Sequence, residues 1–111
     1  MILAYEDFEK VEIRSGTVFK VEAFERAKKP AYKVWVDFGP EMGIKQTSAQ
    51  VTVHYTPESL LGRQVAGCLN LGTKNIAGFL SEFLLLGFAD EDGAISLIHP
   101  GVPVPNGQKL C

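Results

Sequence analysis

The side chains that could carry covalent chemistry are few in this chain and stand far apart in the sequence. His54 and His99 are the only histidines, and neither has a cysteine or carboxylate at the spacing of a metal site. Ser81-Glu82 has no neighbouring histidine, and the carboxylates Asp37 and Glu41 flank a turn, where solvation is their ordinary state. The sequence therefore predicts a protein that is not an enzyme, with no catalytic residue, no metal and no cofactor.

Two polar segments offer hydrogen-bonding chemistry instead. Residues 44–51, IKQTSAQV, have the length and flanks of a strand but carry mostly polar side chains. Residues 70–82, NLGTKNIAGFLSE, place polar groups around a turn just before an apolar run. Amides and hydroxyls both donate and accept hydrogen bonds, which suits phosphates, base edges or a peptide backbone. These segments predict a binding surface, with an ordinary exposed strand as the alternative interpretation of residues 44–51.

The elements that must position these segments are mostly strands. Residues 11–24 and 31–38 alternate apolar and polar side chains, the period-two pattern of strands, and Gly16 predicts a bulge or bend in the first. Residues 56–62 predict a short helix, because Thr56 can cap it, a proline follows and a glycine ends it. Further strands are predicted at residues 64–71, 81–88 and 94–98.

The order of these elements predicts the fold class. Three strands, a short helix and two more strands indicate an all-β protein. We expect a five-stranded Greek-key barrel, the OB-fold, with the helix between strands 3 and 4. An immunoglobulin-like sandwich is the alternative, but it would need more strands and no capped helix in the middle. The length of 111 residues fits a single domain over residues 1–111.

Composition and charge narrow the class of protein further. The acidic start differs from a secretory signal, and no apolar run reaches the length of about 18 residues that a membrane helix needs. Only two cysteines are present, Cys68 and Cys111, so we expect a reducing, cytoplasmic location and no membrane insertion. The net charge is −2, but residues 26–80 hold seven basic and three acidic side chains, which allows a mildly basic face.

The late part of the chain has more apolar side chains than one barrel needs. Seven large apolar residues fall between positions 79 and 88: Phe79, Leu80, Phe83, Leu84, Leu85, Leu86 and Phe88. One face of this segment can fill the barrel, and burying each further Leu or Phe contributes roughly 1.5–3 kcal/mol. We therefore expect a second subunit to cover the other face, in a twofold homodimer. The alternative is that the C-terminal extension covers it within one chain.

The chain resembles the family of tRNA-binding domains over nearly its whole length. The segments that carry the resemblance are DFEKVEIRSGTV, KPAYKVWVDFG, GIKQTSAQVT, YTPESLLGRQV, NLGTKNIAGFLSEFLLLG and VPNGQKL. Within the family, GIKQTSAQ and IAGFLSE look particular to stand-alone, export-related chaperones of bacteria and archaea. The resemblance implies an OB-fold core and a homodimer built through terminal extensions.

The resemblance also implies two kinds of ligand. The chaperone branch is associated with unfolded preproteins and with delivery to the secretion motor SecA, whereas the tRNA-binding relatives hold the outer corner of tRNA by its shape. Those relatives usually have Pro-Arg-Lys where this chain has Thr73, Lys74 and Asn75, so one positive charge is lost. Phosphate contacts dominate nucleic-acid affinity, and this difference therefore favours the chaperone over the tRNA-binding alternative.

The residues at the matching positions form the predicted binding site. The candidates for contact with peptide or tRNA are Lys45, Gln46, Ser48, Lys74, Asn75, Ser81 and Glu82. Phe38 and Phe79 are candidates for an apolar pocket beside them, with core packing as the alternative role. A purely structural accessory subunit, which binds neither ligand, is the third hypothesis.

Overall fold

Nine short strands and three short helices make up the structure, a computed structural model that describes residues 1–111. The strands are β1 (Ile13–Ala23), β2 (Tyr32–Asp37), β3 (Ile44–Ala49), β4 (Gln64–Cys68), β5 (Lys74–Ile76), β6 (Phe79–Ser81), β7 (Leu84–Leu85), β8 (Gly87–Ala89) and β9 (Ile95–Leu97). The helices are α1 (Tyr5–Glu9), α2 (Gly39–Met42) and α3 (Pro57–Leu60). None of the helices combines the length and apolar composition required to span a bilayer.

Five of the strands form a nearly closed antiparallel barrel. Their order is β3-β2-β1-β4-β7, and α3 lies between β3 and β4 in the chain, as the sequence predicted. Thr56 caps α3 by accepting a hydrogen bond from Ser59 N, while the Ser59 hydroxyl accepts one from Thr56 N. The predicted all-β class and five-stranded barrel are therefore confirmed.

Strand β1 bends so that its two halves serve different neighbours. Its first half pairs with β4 and its second half with β2, and the register shifts between Val18 and Lys20. The irregularity predicted at Gly16 thus lies a few residues further on. Gly16 itself is needed for close packing, because a Cβ there would lie 2.5 Å from Val36 and 2.8 Å from Phe38.

The predicted strand at residues 81–88 is not continuous. Its place is taken by β6, β7 and β8, which pair with β5, β4 and β9 respectively. The β5–β6 hairpin turns through Ala77 and Gly78, which have φ of 49° and 85°. Two consecutive positive φ values are typical of the tight turns that match the twist of paired strands. The expectation of one long strand was wrong because each short piece has a different partner.

The C-terminal segment lies beside the first half of β1. Gly107 N donates to Ser15 O at 2.7 Å, and Ser15 N donates to Gln108 O at 3.0 Å. The Gln64 side-chain amide holds Val104 by both main-chain groups, donating to its O at 2.6 Å and accepting from its N at 3.0 Å. This segment leaves Leu80 and Leu84 each 50% exposed and Phe88 72% exposed, so it does not provide their cover.

Candidate ligand-binding site

Strand β3 meets the segment 80–83 through one main-chain hydrogen bond and several that involve side chains, where a regular barrel would have a strand ladder. Glu82 N donates to Gln46 O at 2.8 Å, and the Glu82 carboxylate accepts from Gln46 N at 3.0 Å. The Ser81 hydroxyl accepts from Ser48 N at 2.9 Å. We call this contact region the seam. It explains the polarity of residues 44–51, because an edge strand without a neighbouring strand must satisfy its main chain in another way.

Two further hydrogen bonds cross the seam. The Gln46 side chain donates to Leu80 O at 2.9 Å, and the buried Thr47 hydroxyl donates to Phe83 O at 2.7 Å. The structure thus brings Gln46, Ser48, Ser81 and Glu82 together, as the sequence predicted. Their polar groups at the seam bond within the protein, and ligand contact by these residues remains a prediction.

The turn between β5 and β6 places two other predicted residues at the surface. The Asn75 side chain accepts from Gly78 N at 2.9 Å, so it stabilises the turn. Lys74 is exposed and, like Lys45 on β3, forms no ion pair. These two lysines are therefore available to an incoming ligand.

The two phenylalanines predicted to line a pocket lie in different places. Phe38 is 0% exposed and packs edge-to-face on Phe83, with ring centroids 5.0 Å apart. The prediction was wrong for Phe38, because this residue follows β2 directly and continues its inward alternation into the core, where it packs with Val34 and Val36. Phe79 is half-buried outside this core and takes part in a different cluster.

That cluster lies outside the barrel core: Trp35 and Phe79 are half-buried, and Phe24 is buried, with 4% of its surface exposed. Phe79 is bracketed by Trp35, with centroids 5.8 Å apart, and by Phe24, at 5.5 Å. Lys33 Nζ lies 5.0 Å from the centroids of both phenylalanines, and Lys20 Nζ lies 4.7 Å from that of Trp35. We call these five residues the aromatic face. Trp35 Nε1 also donates to the Gln46 side chain at 3.2 Å, which joins the aromatic face to the seam.

Four members of the aromatic face were not among the site residues predicted from the sequence, although one pattern indicated them. In residues 31–38 the alternate positions Tyr32, Val34, Val36 and Phe38 are apolar and share one side of the predicted strand. The positions between them, including Lys33 and Trp35, must then face outward. A tryptophan on the outward side of a barrel strand indicates a contact surface, since large aromatic side chains are costly to leave in water.

The charge around the aromatic face is only mildly basic. Lys20 pairs with Glu22 at 3.3 Å, and the carboxylate of Glu82 lies at the neighbouring seam. Lys33, Lys45 and Lys74 add positive charge without forming ion pairs. The surface can attract an anion, but it lacks the dense positive charge of a strong phosphate-binding face.

The two carboxyl groups with shifted pKa values lie outside the aromatic face. Hydrogen bonds from Arg14 and Lys109 lower the pKa of Glu12, and a hydrogen bond from His54 lowers the pKa of Asp90. Both carboxyl groups are thus stabilised in the charged form and are poor general acids. No group of three or more histidine, cysteine or carboxylate side chains is arranged to hold a metal ion.

The family of the chain follows from a model that matches most of it. The model described as "Putative tRNA binding domain" matches residues 13–109. The chain belongs to the tRNA-binding-domain family. The family predicted from the sequence is therefore confirmed.

Several members of the family are much longer than this chain. It is 34% identical over 108 residues to methionine--tRNA ligase of Porphyromonas gingivalis, covering 97% of the chain and 15% of that protein. Over 110 residues it is 34% identical to the methionine--tRNA ligase of Methanosarcina mazei, and the match covers 98% of this chain and 15% of that protein. The chain thus spans about 15% of the length of these relatives.

Solved structures of similar length place the chain more finely within the family. Chaperone CsaA of Bacillus anthracis has a TM-score of 0.93 and 42% identity, covering 100% of both chains. CsaA of Picrophilus torridus has a TM-score of 0.91 and 38% identity, and the match covers 99% of this chain and 100% of that one. A MetRS-related protein of Pyrococcus horikoshii has a TM-score of 0.87 and 29% identity, and the match covers 100% of this chain and 99% of that one. The chain is a CsaA-like tRNA-binding domain.

Proposed function

We propose that this CsaA-like domain is a non-enzymatic chaperone that binds unfolded preprotein segments on its aromatic face. The observation that carries the proposal is the pair of half-buried rings Trp35 and Phe79, which pack outside the barrel core with the buried Phe24 and are covered by two lysine side chains. The likeness to two CsaA chains over their whole length supports the same function.

The lysines on the aromatic face can act as movable covers. An exposed ammonium above an aromatic ring gains only about 0.5–1 kcal/mol, so a ligand can displace it at small cost. The rings of Trp35 and Phe79 could then contact apolar side chains of a client, while the displaced lysines contact its carbonyl groups or acidic residues. Such a surface favours apolar, flexible polypeptides without requiring a particular sequence.

Binding of tRNA is the second candidate function. It is favoured by the match to methionine--tRNA ligases and by Lys74, which is exposed and free of ion pairs on the β5–β6 hairpin. Against it stand the net charge of −2 and the mild basicity of the aromatic face. If tRNA is the ligand, we expect affinity to fall steeply with salt and Lys74→Ala to reduce the salt slope by about one unit.

Fluorescence titration tests the two candidates directly, because Trp35 is the only tryptophan. We expect an unfolded preprotein to change the Trp35 emission and Phe79→Ala to weaken binding by roughly 10–100-fold, the equivalent of losing about 1.5–3 kcal/mol of apolar burial. Phe19→Ala is the matched control, since Phe19 is half exposed on β1 outside the aromatic face. Tight, salt-sensitive tRNA binding without preprotein binding would select the second candidate.

The proposal includes a homodimer and a cytoplasmic location. Helix α1 buries none of its residues, and Tyr5, Leu80 and Phe88 are at least half exposed, so a second copy would remove a large apolar area from water. Delivery of the client to SecA belongs to the same proposal. Analytical ultracentrifugation tests the dimer: we expect Phe88→Lys to shift it toward monomer, and a wild-type chain that stays monomeric at high concentration contradicts the proposed dimer.

A further inference from the structure

The seam is closed by side chains at one end and open at the other. At the closed end, Gln46 and Thr47 are bonded to the segment 80–83. Beyond it, residues 48–51 and 84–87 run along opposite sides of a cavity of about 370 Å³, and no strand pairing joins β3 to β7. Six of the nine residues that line the cavity are hydrophobic. The opening is therefore a gap in the barrel wall with an apolar floor.

On the β3 side of this opening, the residue that follows the strand has main-chain groups without partners. Alternate residues of a strand direct their N–H and C=O groups to the same edge, and the N–H groups of Gln46 and Ser48 point into the seam. Gln50 lies one residue past the end of β3 and two past Ser48, and neither its N–H nor its C=O forms a hydrogen bond within the protein. An edge strand with free main-chain groups is a template for one more strand.

The charge at one end of the opening indicates what kind of strand would fit. Val51 and Gly87 line the opening on its two sides. Each chain segment continues for three more residues, to His54 and Asp90, and there His54 Nε2 lies 2.6 Å from Asp90 Oδ2. The acidic turn of the β8–β9 hairpin therefore lies at this end, and its Glu91 and Asp92 are exposed and form no ion pair. A segment with basic residues beside an apolar stretch is complementary to both features.

We propose that the open end of the seam binds an extended client segment as an added strand on the edge of β3. The client's main chain pairs with the free groups of Gln50, every second side chain enters the apolar cavity, and flanking lysine or arginine side chains approach Glu91 and Asp92. Basic residues followed by an apolar stretch are also the composition of export signals. The inference rests on the proposed function and names the part of a preprotein that this second site would recognise.

A peptide with matched N-methyl groups tests the main-chain pairing. The probe is a ten-residue peptide of two lysines followed by alternating valine and threonine. One version carries methyl groups on the valine amides and the other on the threonine amides. Alternate amides of a strand point to opposite edges, so only one version should lose binding. We expect one to bind at least tenfold more weakly and the other to bind like the parent. Equal effects of the two versions, or no effect, overturn the proposal.

A pair of variants tests the β3 edge from the side of the protein. Gln50→Pro removes the free N–H, and Gln50→Ala removes only the side chain. We expect at least tenfold weaker peptide binding for Gln50→Pro and unchanged binding for Gln50→Ala, with equal urea midpoints for both. If Gln50→Pro does not fold, the N-methylated peptides still decide. Loss of self-association in Gln50→Pro would show that a second copy occupies the edge, which also overturns the proposal.

The outcomes separate this inference from the proposed function. If an unfolded preprotein binds the wild-type chain and Gln50→Pro equally, and the two methylated peptides do not differ, the strand site is refuted while the chaperone function stands. If the preprotein does not bind but the peptides differ as expected, the strand site stands and the proposed function fails.

Discussion

The buried hydroxyl at the seam gives the sharpest prediction for stability. Thr47 is 2% exposed and donates to Phe83 O at 2.7 Å. Thr47→Val keeps the shape of the side chain but leaves that carbonyl without its donor. An unsatisfied buried acceptor costs about 1–3 kcal/mol. Because a domain of this kind is stable by only about 5–15 kcal/mol, we expect Thr47→Val to remove a measurable share of the free energy of unfolding.

Urea unfolding measures this loss. With an m-value of about 1–3 kcal/mol/M, a loss of about 2 kcal/mol lowers the unfolding midpoint by roughly 1 M. Ser48→Ala is the matched control, because the Ser48 hydroxyl forms no hydrogen bond within the protein. Its free energy of unfolding should change by less than about 0.5 kcal/mol. A Thr47→Val midpoint equal to or above that of the wild type would refute the assignment of this bond to closing the barrel.

Two further predictions concern the core and the acid side of the pH range. A Cβ at Gly67 would lie 2.8 Å from the rings of Phe38 and Phe83, so we expect Gly67→Ala to destabilise the fold by about 1–3 kcal/mol, measured by thermal unfolding; no loss would contradict the packing. The hydrogen bond from His54 holds the pKa of Asp90 in the folded protein below its ordinary value of about 3.9. The pairing therefore contributes its full stability above about pH 3.9, and this contribution is lost as the pH falls through the lower pKa of the folded state. The stability difference between wild type and His54→Ala should therefore narrow below about pH 4 in urea unfolding, and a constant difference would contradict the pairing.

Local patterns in the sequence predicted those parts of the fold that depend on near neighbours. The alternation in residues 31–38 and the cap at Thr56 each follow from chemistry within a few residues, and the structure has both. The barrel order followed because strands that alternate and a single helix leave few compact arrangements.

The seam could not be predicted in this way, because it depends on pairs far apart in sequence. Gln46 and Glu82 are separated by 36 positions, and nothing local indicates that one caps the main chain of the other. Residues 79–89 divide into three short strands because two of them pair in local hairpins with β5 and β9, while β7 pairs with the more distant β4. Polar residues in a strand fit a ligand-binding face and a barrel closure equally well, and only the partner decides between them.

The aromatic face shows a different limit. Its members come from β1, β2, β6 and the loop after β1, so their proximity is a product of the barrel. Phe38 and Phe79 are the same residue type beside polar segments, yet one packs on Phe83 in the core and the other on Trp35 outside it. Residue type therefore identified the candidates, and tertiary packing separated them.

The two hydrogen bonds between the Gln64 side chain and the Val104 main chain have a consequence for local opening of the C-terminal segment. A primary amide imitates a peptide unit here, bonding both main-chain groups of one residue. A single rotamer change at Gln64 can release both bonds at once without disturbing any pairing between β-strands. The amide proton of Val104 should therefore exchange with solvent by a local, low-energy opening, well before the interior amides of β4 do so.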